Sequence, residues 1–260
     1  MKTRRLILLC VVPLLFSCLP KKTEIPMTEA PAGPVLAALE QQGRLFSGLK
    51  AIGSVEIMKR GRKRAFDTVG IVVDGRRRFR MEAYGPLGQS LAAIVWNGSE
   101  VMLRLPEQEN IVRKGPDGLA QFLGEGLDPS EFCAVLSGGI PAAAFTAPAR
   151  LRCAENGDCI LELRSRDVIR NIGIGYPVAG RADGPRIRSY ELINSGNLVF
   201  RARFENSAEI AHYPLPLRIV IENPQKKTQI TVLYTEADVN PPMSDGAFSL
   251  IDEESSSTGK

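Results

Sequence analysis

Apolar and polar residues alternate along most of the chain. Within residues 78–84, Phe79, Met81 and Ala83 alternate with Arg78, Arg80 and Glu82. A period of two predicts a strand with one dry face and one wet face. Similar patterning marks 49–57, 66–73, 91–96 and 101–105 and, after a break, 150–154, 158–164, 186–193, 198–204, 217–222 and 228–234. Turn residues punctuate them at Asp74-Gly75, Asn97-Gly98, Gly196 and Asn223-Pro224. A two-residue turn at Asn97-Gly98 sets Ile94 opposite Val101 and Ala92 opposite Leu103. Ala92, Ile94, Trp96, Val101 and Leu103 then share one apolar face.

Helical patterning is sparse. Pro34 suits a first helical position, and Val35, Leu36, Leu39 and Phe46 give a partial stripe over 34–46. A short helical turn is expected over Gly118 to Gly124. Asp128-Pro129-Ser130-Glu131 is a helix start, with Asp128 as cap, Pro129 first and Glu131 closing a capping box. That helix carries Phe132, Cys133, Val135 and Leu136 and stops at Gly138-Gly139. These elements predict a mainly β protein with a few helices. About ten or eleven antiparallel strands would form one large curled sheet, an open half-barrel, with the helices as a lid.

The strand at 78–84 runs into Gly85-Pro86-Leu87-Gly88, where proline and the glycines dictate a tight turn. Such a tip usually carries a polar residue, and this one carries Leu87. Leu87 either folds back onto the core or stays out to meet something apolar.

The first residues set the compartment. Lys2, Arg4 and Arg5 precede a short apolar run, which ends in Leu15-Phe16-Ser17-Cys18. A leucine followed by a small residue directly before cysteine resembles a bacterial lipobox, where the cysteine receives a diacylglyceryl group. Residues 1–17 are then a lipoprotein signal peptide and Cys18 is the lipidated residue. Residues 18–33 form a proline-rich tether, 34–251 one domain, and 252–260 a polar disordered tail. Leu19 in place of aspartate favours the outer membrane under enteric sorting rules. The expected location is lipid-anchored on that membrane and facing the periplasm.

Charge then changes the picture. The formal net charge is +4, but removing the three basic signal residues leaves 30 basic against 29 acidic, about +1. Such a chain has no global reason to bind nucleic acid. Two local basic clusters, 59–64 and 76–78, are either a solvated rim or a contact for anionic head groups. Cys153 and Cys159 flank a hairpin tip and, in an oxidising compartment, are expected to form a disulfide. Cys133 remains unpaired, as a small buried hydrophobe.

Catalytic chemistry finds little support. The single histidine, His212, sits beside Tyr213-Pro214 in a connection and reads as surface. No cysteine and histidine cluster has metal-ligand spacing, and Gly173, Gly175 and Gly180 do not form a dinucleotide fingerprint. The expectation is a non-enzyme with no cofactor. A broad apolar sheet face under a lid helix suits acyl chains, which need area more than polar contacts. The alternative is that the helices complete a dry core.

The lipobox, the early helix, the amphipathic meander, Gly85-Pro86-Leu87-Gly88 leading into the Asn97-Gly98 hairpin, and the central lid helix together resemble the LolA/LolB half-barrel family, in its LolB branch. The ending, from Ala237-Asp238-Val239-Asn240 to Ala247-Phe248-Ser249-Leu250, is more similar to the LolA branch. The likeness spans residues 34–250 in order and pattern, and residue identity concentrates at 84–90. It implies an outer-membrane receptor that accepts acylated lipoproteins from a LolA-like periplasmic carrier and helps insert them into outer-membrane lipid. The implied receptor is a monomer. Leu87, on its Gly85, Pro86 and Gly88 turn, becomes the membrane-insertion residue. The candidate acyl-chain set is Phe79, Met81, Ile94, Trp96, Val101, Leu103, Phe132 and Leu136. The chain is longer than a typical LolB and adds the cysteine hairpin and late strands. A structural or interaction lipoprotein of the same fold, binding another lipid or docking an envelope complex, is the second reading.

Overall fold

The computed structural model describes residues 26–75, 77–105, 112–119, 128–141, 148–175 and 184–250. Six strands of the first half are β2 (Gly48–Lys59), β3 (Arg62–Asp74), β4 (Arg78–Tyr84), β5 (Ser90–Trp96), β6 (Val101–Arg104) and β7 (Val112–Lys114), preceded by β1 (Met27–Ala30). The second half adds β8 (Ala149–Ala154), β9 (Asp158–Ser165), β10 (Val168–Gly175), β11 (Arg186–Asn194), β12 (Asn197–Ile210), β13 (Tyr213–Asn223) and β14 (Thr228–Val239). All fourteen form one open antiparallel sheet in the order β1-β8-β9-β10-β11-β12-β13-β14-β2-β3-β4-β5-β6-β7. Two meanders, β2 to β7 and β8 to β14, thus meet where β14 pairs with β2.

That order dictates where helices go. Among the described residues there are two α-helices, α1 (Ala32–Arg44) and α2 (Pro129–Leu136). The link carrying α1 runs from β1 at one edge to β2 within the sheet. The link carrying α2 runs from β7 at the far edge back to β8. Neither can be a hairpin, and both must cross a face of the sheet. Neighbouring strands lie ~4.8 Å apart, so β10 and β4, seven steps apart, would be separated by roughly 30 Å if flat. Yet Phe132 on α2 packs against Phe79 on β4, with ring centroids 5.0 Å apart. Its neighbour Glu131 is bonded to Arg170 on β10 at 2.6 Å. Adjacent residues touch both strands only because the sheet curls around α2.

Helix α2 starts as its sequence dictates. Asp128 Oδ1 accepts from the Ser130 N–H at 2.7 Å and Glu131 Oε2 accepts from the Asp128 N–H at 3.4 Å, with Pro129 first. Every residue from Glu131 to Leu136 is buried. Helix α1 begins two residues before the expected Pro34 and buries only Val35 and Leu39. Pro34 is tolerated there because first-turn N–H groups have no helical partner.

Several sequence expectations need correction. Met27–Ala30 falls in the expected tether but is an edge strand, in register with Leu151 to Ala154 of β8. Edge pairing uses backbone groups and needs no apolar period, so the pattern gave no sign of it. The three-residue β7 and the glycine-containing β10 were also unseen. At the Asn97-Gly98 turn the register is Trp96↔Val101 and Ile94↔Leu103, two positions from the expected pairing. Asn97 Oδ1 accepts from the N–H groups of Ser99 (2.9 Å) and Glu100 (3.0 Å), which builds a longer turn. A shift of two preserves the strand face, so Ile94, Trp96, Val101 and Leu103 still point into the main core.

The opposite face carries a second, smaller core. Ala93, Val95 and Met102 pack there under Phe248 and Leu250 of the C-terminal segment. Arg80 Nη1 donates to the Ala247 and Ser249 carbonyls, at 3.2 and 3.0 Å. Arg78 bonds Asp245 at 2.8 Å and lies 4.4 Å from the Phe248 ring centroid. Residues 245–250 are thereby strapped across the outside of the half-barrel.

Candidate functional site

Under α2 the inner face holds a cavity of about 240 Å³. Phe132 covers it, and β4, β5 and β6 supply Met81, Ala83, Ala92, Ile94 and Leu103. Val55 and Ile57 of β2, Phe66 and Val69 of β3, and Ile230 of β14 complete the apolar wall. At one end it reaches Lys59, Arg64, Arg104 and Thr228, of which Lys59 and Arg64 are exposed.

Of the candidate acyl-chain residues, the structure brings Met81, Ile94, Leu103 and Phe132 into this wall. The other four do not line it. Phe79, Val101 and Leu136 are fully buried and Trp96 nearly so. Sequence reasoning missed the contributions of β2, β3 and β14. Their alternation was legible, but the pairing of β14 with β2 that brings Ile230 beside Ile57 was not. The volume lies below the roughly 300–1,000 Å³ of pockets that enclose drug-sized ligands. With α2 in place there is room for part of one acyl chain, and a larger load requires α2 to move.

Four polar side chains hold α2 down. Arg170 bonds Glu131 and donates to the Tyr190 hydroxyl at 3.2 Å, and Tyr190 donates to Glu131 Oε1 at 3.1 Å. At the other end Tyr234 donates to the Leu136 carbonyl and Tyr213 to the Ser137 carbonyl, both at 2.8 Å. The last carbonyls of a helix lack internal partners, and here two buried phenols supply them. Burial pushes the Tyr190 and Tyr234 phenols far above the usual tyrosine range, with the Glu131 charge adding to the effect at Tyr190. Both therefore remain donors at any physiological pH. Burial opposes the charge on Arg170, but Glu131 and Tyr190 together outweigh it, and the net shift of the guanidinium is upward. None of these partners was singled out from the sequence, because the four contacts join residues 39 to 98 positions apart.

Leu87 is 92 % exposed. Pro86 and Leu87 occupy the central positions of a tight turn closed by the Gly88 N–H to the Gly85 carbonyl at 2.9 Å, with Gly88 at φ +80°. Gln89 Oε1 accepts from the Leu87 N–H at 3.1 Å and fixes the tip. In the meander this turn lies at the same end of the sheet as the β2–β3 and β13–β14 tips. Those two tips are joined by the Arg60 N–H to the Lys227 carbonyl at 3.0 Å. One end therefore gathers Leu87, the basic run 59–64 and the cationic mouth of the cavity. Arg78, of the second basic cluster, is at the opposite end and is occupied by Asp74 and Asp245.

The remaining candidates fall elsewhere. Cys18 lies outside the described residues. Cys153 and Cys159 are cross-strand partners on β8 and β9 and are joined by a disulfide. Cys133 is free and buried, and burial raises its thiol pKa far above the usual range. His212 is exposed on the β12–β13 turn, 3.7 Å from Glu209. Among the described residues, no group of three or more metal-ligating side chains is placed to hold an ion. No described helix is long and apolar enough to cross a membrane.

No family model and no curated protein matches the chain. Solved structures do. A DUF1329 family protein from Desulfovibrio piger aligns with a TM-score of 0.61 at 12 % identity, over 84 % of this chain and 97 % of its own. An outer membrane lipoprotein-sorting protein domain from Vibrio parahaemolyticus gives 0.60 at 11 %, over 84 % and 97 %. A LolA superfamily protein from Nitrosomonas europaea gives 0.55 at 14 %, over 83 % and 97 %. At such identities the likeness is one of fold, and this chain has the fold that these proteins share.

Proposed function

We propose that the protein is an outer-membrane-anchored receptor of the LolB kind, tethered through lipid on Cys18. It takes acylated lipoproteins from a LolA-like periplasmic carrier and helps place them in the outer membrane. It does so by binding alone, without covalent chemistry. The observation that carries this reading is the placement of Leu87, 92 % exposed, at the same end as the mouth of the apolar cavity. Burying one leucine side chain is worth ~1.5–3 kcal/mol, enough to press that end against a bilayer. The lipoprotein-sorting and LolA-type structural neighbours share the fold and support the reading.

In the test, vesicles bearing the full chain meet a carrier loaded with a fluorescent triacylated lipoprotein. Wild type is expected to move label into the bilayer. With Leu87→Glu, label should reach the protein, seen as a cross-linked adduct, and stay there. If no label leaves the carrier while the wild-type chain is folded, the sorting role is lost. Two observations favour the second reading, an interaction lipoprotein of the same fold. Four of the candidate acyl-chain residues are packed core, and α2 is held by buried polar contacts. In that case the wild-type chain leaves the carrier loaded and Leu87→Glu changes nothing.

A further inference from the structure

We infer that the cavity takes an amphiphile whose head is anionic, with the chain against Phe132 and a phosphate at Lys59, Arg64 and Arg104. The inference rests only on the acyl-binding part of the proposed function, and its ligand is a lipid rather than a lipoprotein. Of the seventeen described residues that line the cavity, three are charged and all three are cationic. Among the described residues no carboxylate lines it. Lys59 and Arg64 have no ion-pair partner among the described residues. Several other arginines are matched, such as Arg203 with Glu222 at 2.8 Å and Arg188 with Asp158 at 2.6 Å. Lys59 closes β2, where the register sets it beside Thr228 of β14, and Arg64 is the third residue of β3, opposite Ile57. The charges thus stand where apolar lining gives way to solvent. That arrangement matches a ligand with an apolar tail and an anionic end.

The acylated end of a mature lipoprotein carries no phosphate, so it gives Lys59 and Arg64 no anion to pair with. A glycerophospholipid or its single-chain form does. A cavity of about 240 Å³ also suits part of a single chain better than three. The head group is held at the rim, partly in water, where each charge contact is modest and several add to a preference.

The experiment uses the full chain in neutral phosphatidylcholine vesicles. Two photoreactive probes are compared, a 1-acylglycerol 3-phosphate with a diazirine in its chain and the matching monoacylglycerol. Peptide mapping reads the labelled residues. In the wild type, both probes should label residues near Phe132, with the phosphate form favoured about tenfold, the scale that several exposed charge contacts supply together. Lys59→Gln with Arg64→Gln should erase most of that preference and leave monoacylglycerol labelling unchanged. Arg62→Gln with Lys63→Gln removes the same charge from the same hairpin but from residues outside the cavity lining, and should keep it. Equal wild-type labelling by both probes overturns the head-group assignment while acyl binding stands. Loss of preference in both double variants also overturns it, since general surface charge then suffices. Absence of labelling in the cavity by either probe removes the acyl-binding reading itself.

Discussion

If α2 is a lid, the two phenol contacts at its C-terminal end help to keep it shut, and removing them should loosen that end without emptying the core. Tyr213→Phe together with Tyr234→Phe deletes only two oxygens, so ring volume and packing are retained. The carbonyls of Leu136 and Ser137, each bonded at 2.8 Å, lose their buried partners. A buried carbonyl left unpaired costs ~1–3 kcal/mol, and lifting the helix end into water relieves that cost. Two such carbonyls lower the opening free energy by about 2–6 kcal/mol, an upper range because adjacent sites couple. Amide hydrogen exchange should read this directly. The N–H groups of Ser137, Gly138 and Gly139 bond back to Cys133, Val135 and Ala134, and they report on the end of the helix. They should exchange roughly 30-fold to 10⁴-fold faster than in wild type, ahead of the β12–β13 ladder. If these amides stay as protected as Ala202 and Ile221 in that ladder, α2 belongs to the sheet's cooperative core. The lid argument would then be wrong.

Two further outcomes follow from packing and burial. Gly53→Ala places a Cβ 1.9 Å from the Leu233 carbonyl oxygen, where β14 meets β2. The backbone there must shift, so the urea midpoint should fall by the equivalent of at least about 1–3 kcal/mol, and an unchanged midpoint would contradict the close approach. Cys133 is fully buried with its thiol pKa pushed up by burial, so a thiol reagent at pH 8 should leave it unmodified until the protein unfolds. Rapid reaction in the folded state would show that α2 opens far more readily than its contacts allow.

Much of the local structure was legible from the sequence. Strand β4 matches its expected bounds because Phe79, Met81 and Ala83 carry the period within seven residues. The 85–88 turn and the α2 capping box follow from neighbours within four positions, where proline, glycine and short polar side chains act on their own backbone. The apolar face of β5 and β6 survived a misjudged register, since a slip of two leaves faces unchanged. The strands that escaped notice, β1, β7 and β10, are short or interrupted by glycine and draw their stability from backbone pairing.

The site depended on distance along the chain. Lys59 meets Thr228, 169 positions away, because β14 closes onto β2, and that junction sets which residues form the cavity wall. Curling of the sheet then brings Phe79 and Arg170 to one helix turn, which turns four candidate acyl residues into packed core and leaves four around a void. The same geometry collects Leu87, Lys59 and Arg64 at one end and engages Arg78 at the other. The sequence by itself determined which face of most strands is dry and where the chain turns, since those are short-range effects of side-chain period and backbone restriction. Only the tertiary structure decided which dry faces meet, what holds α2, and where the charges stand, because those depend on pairings no local pattern encodes.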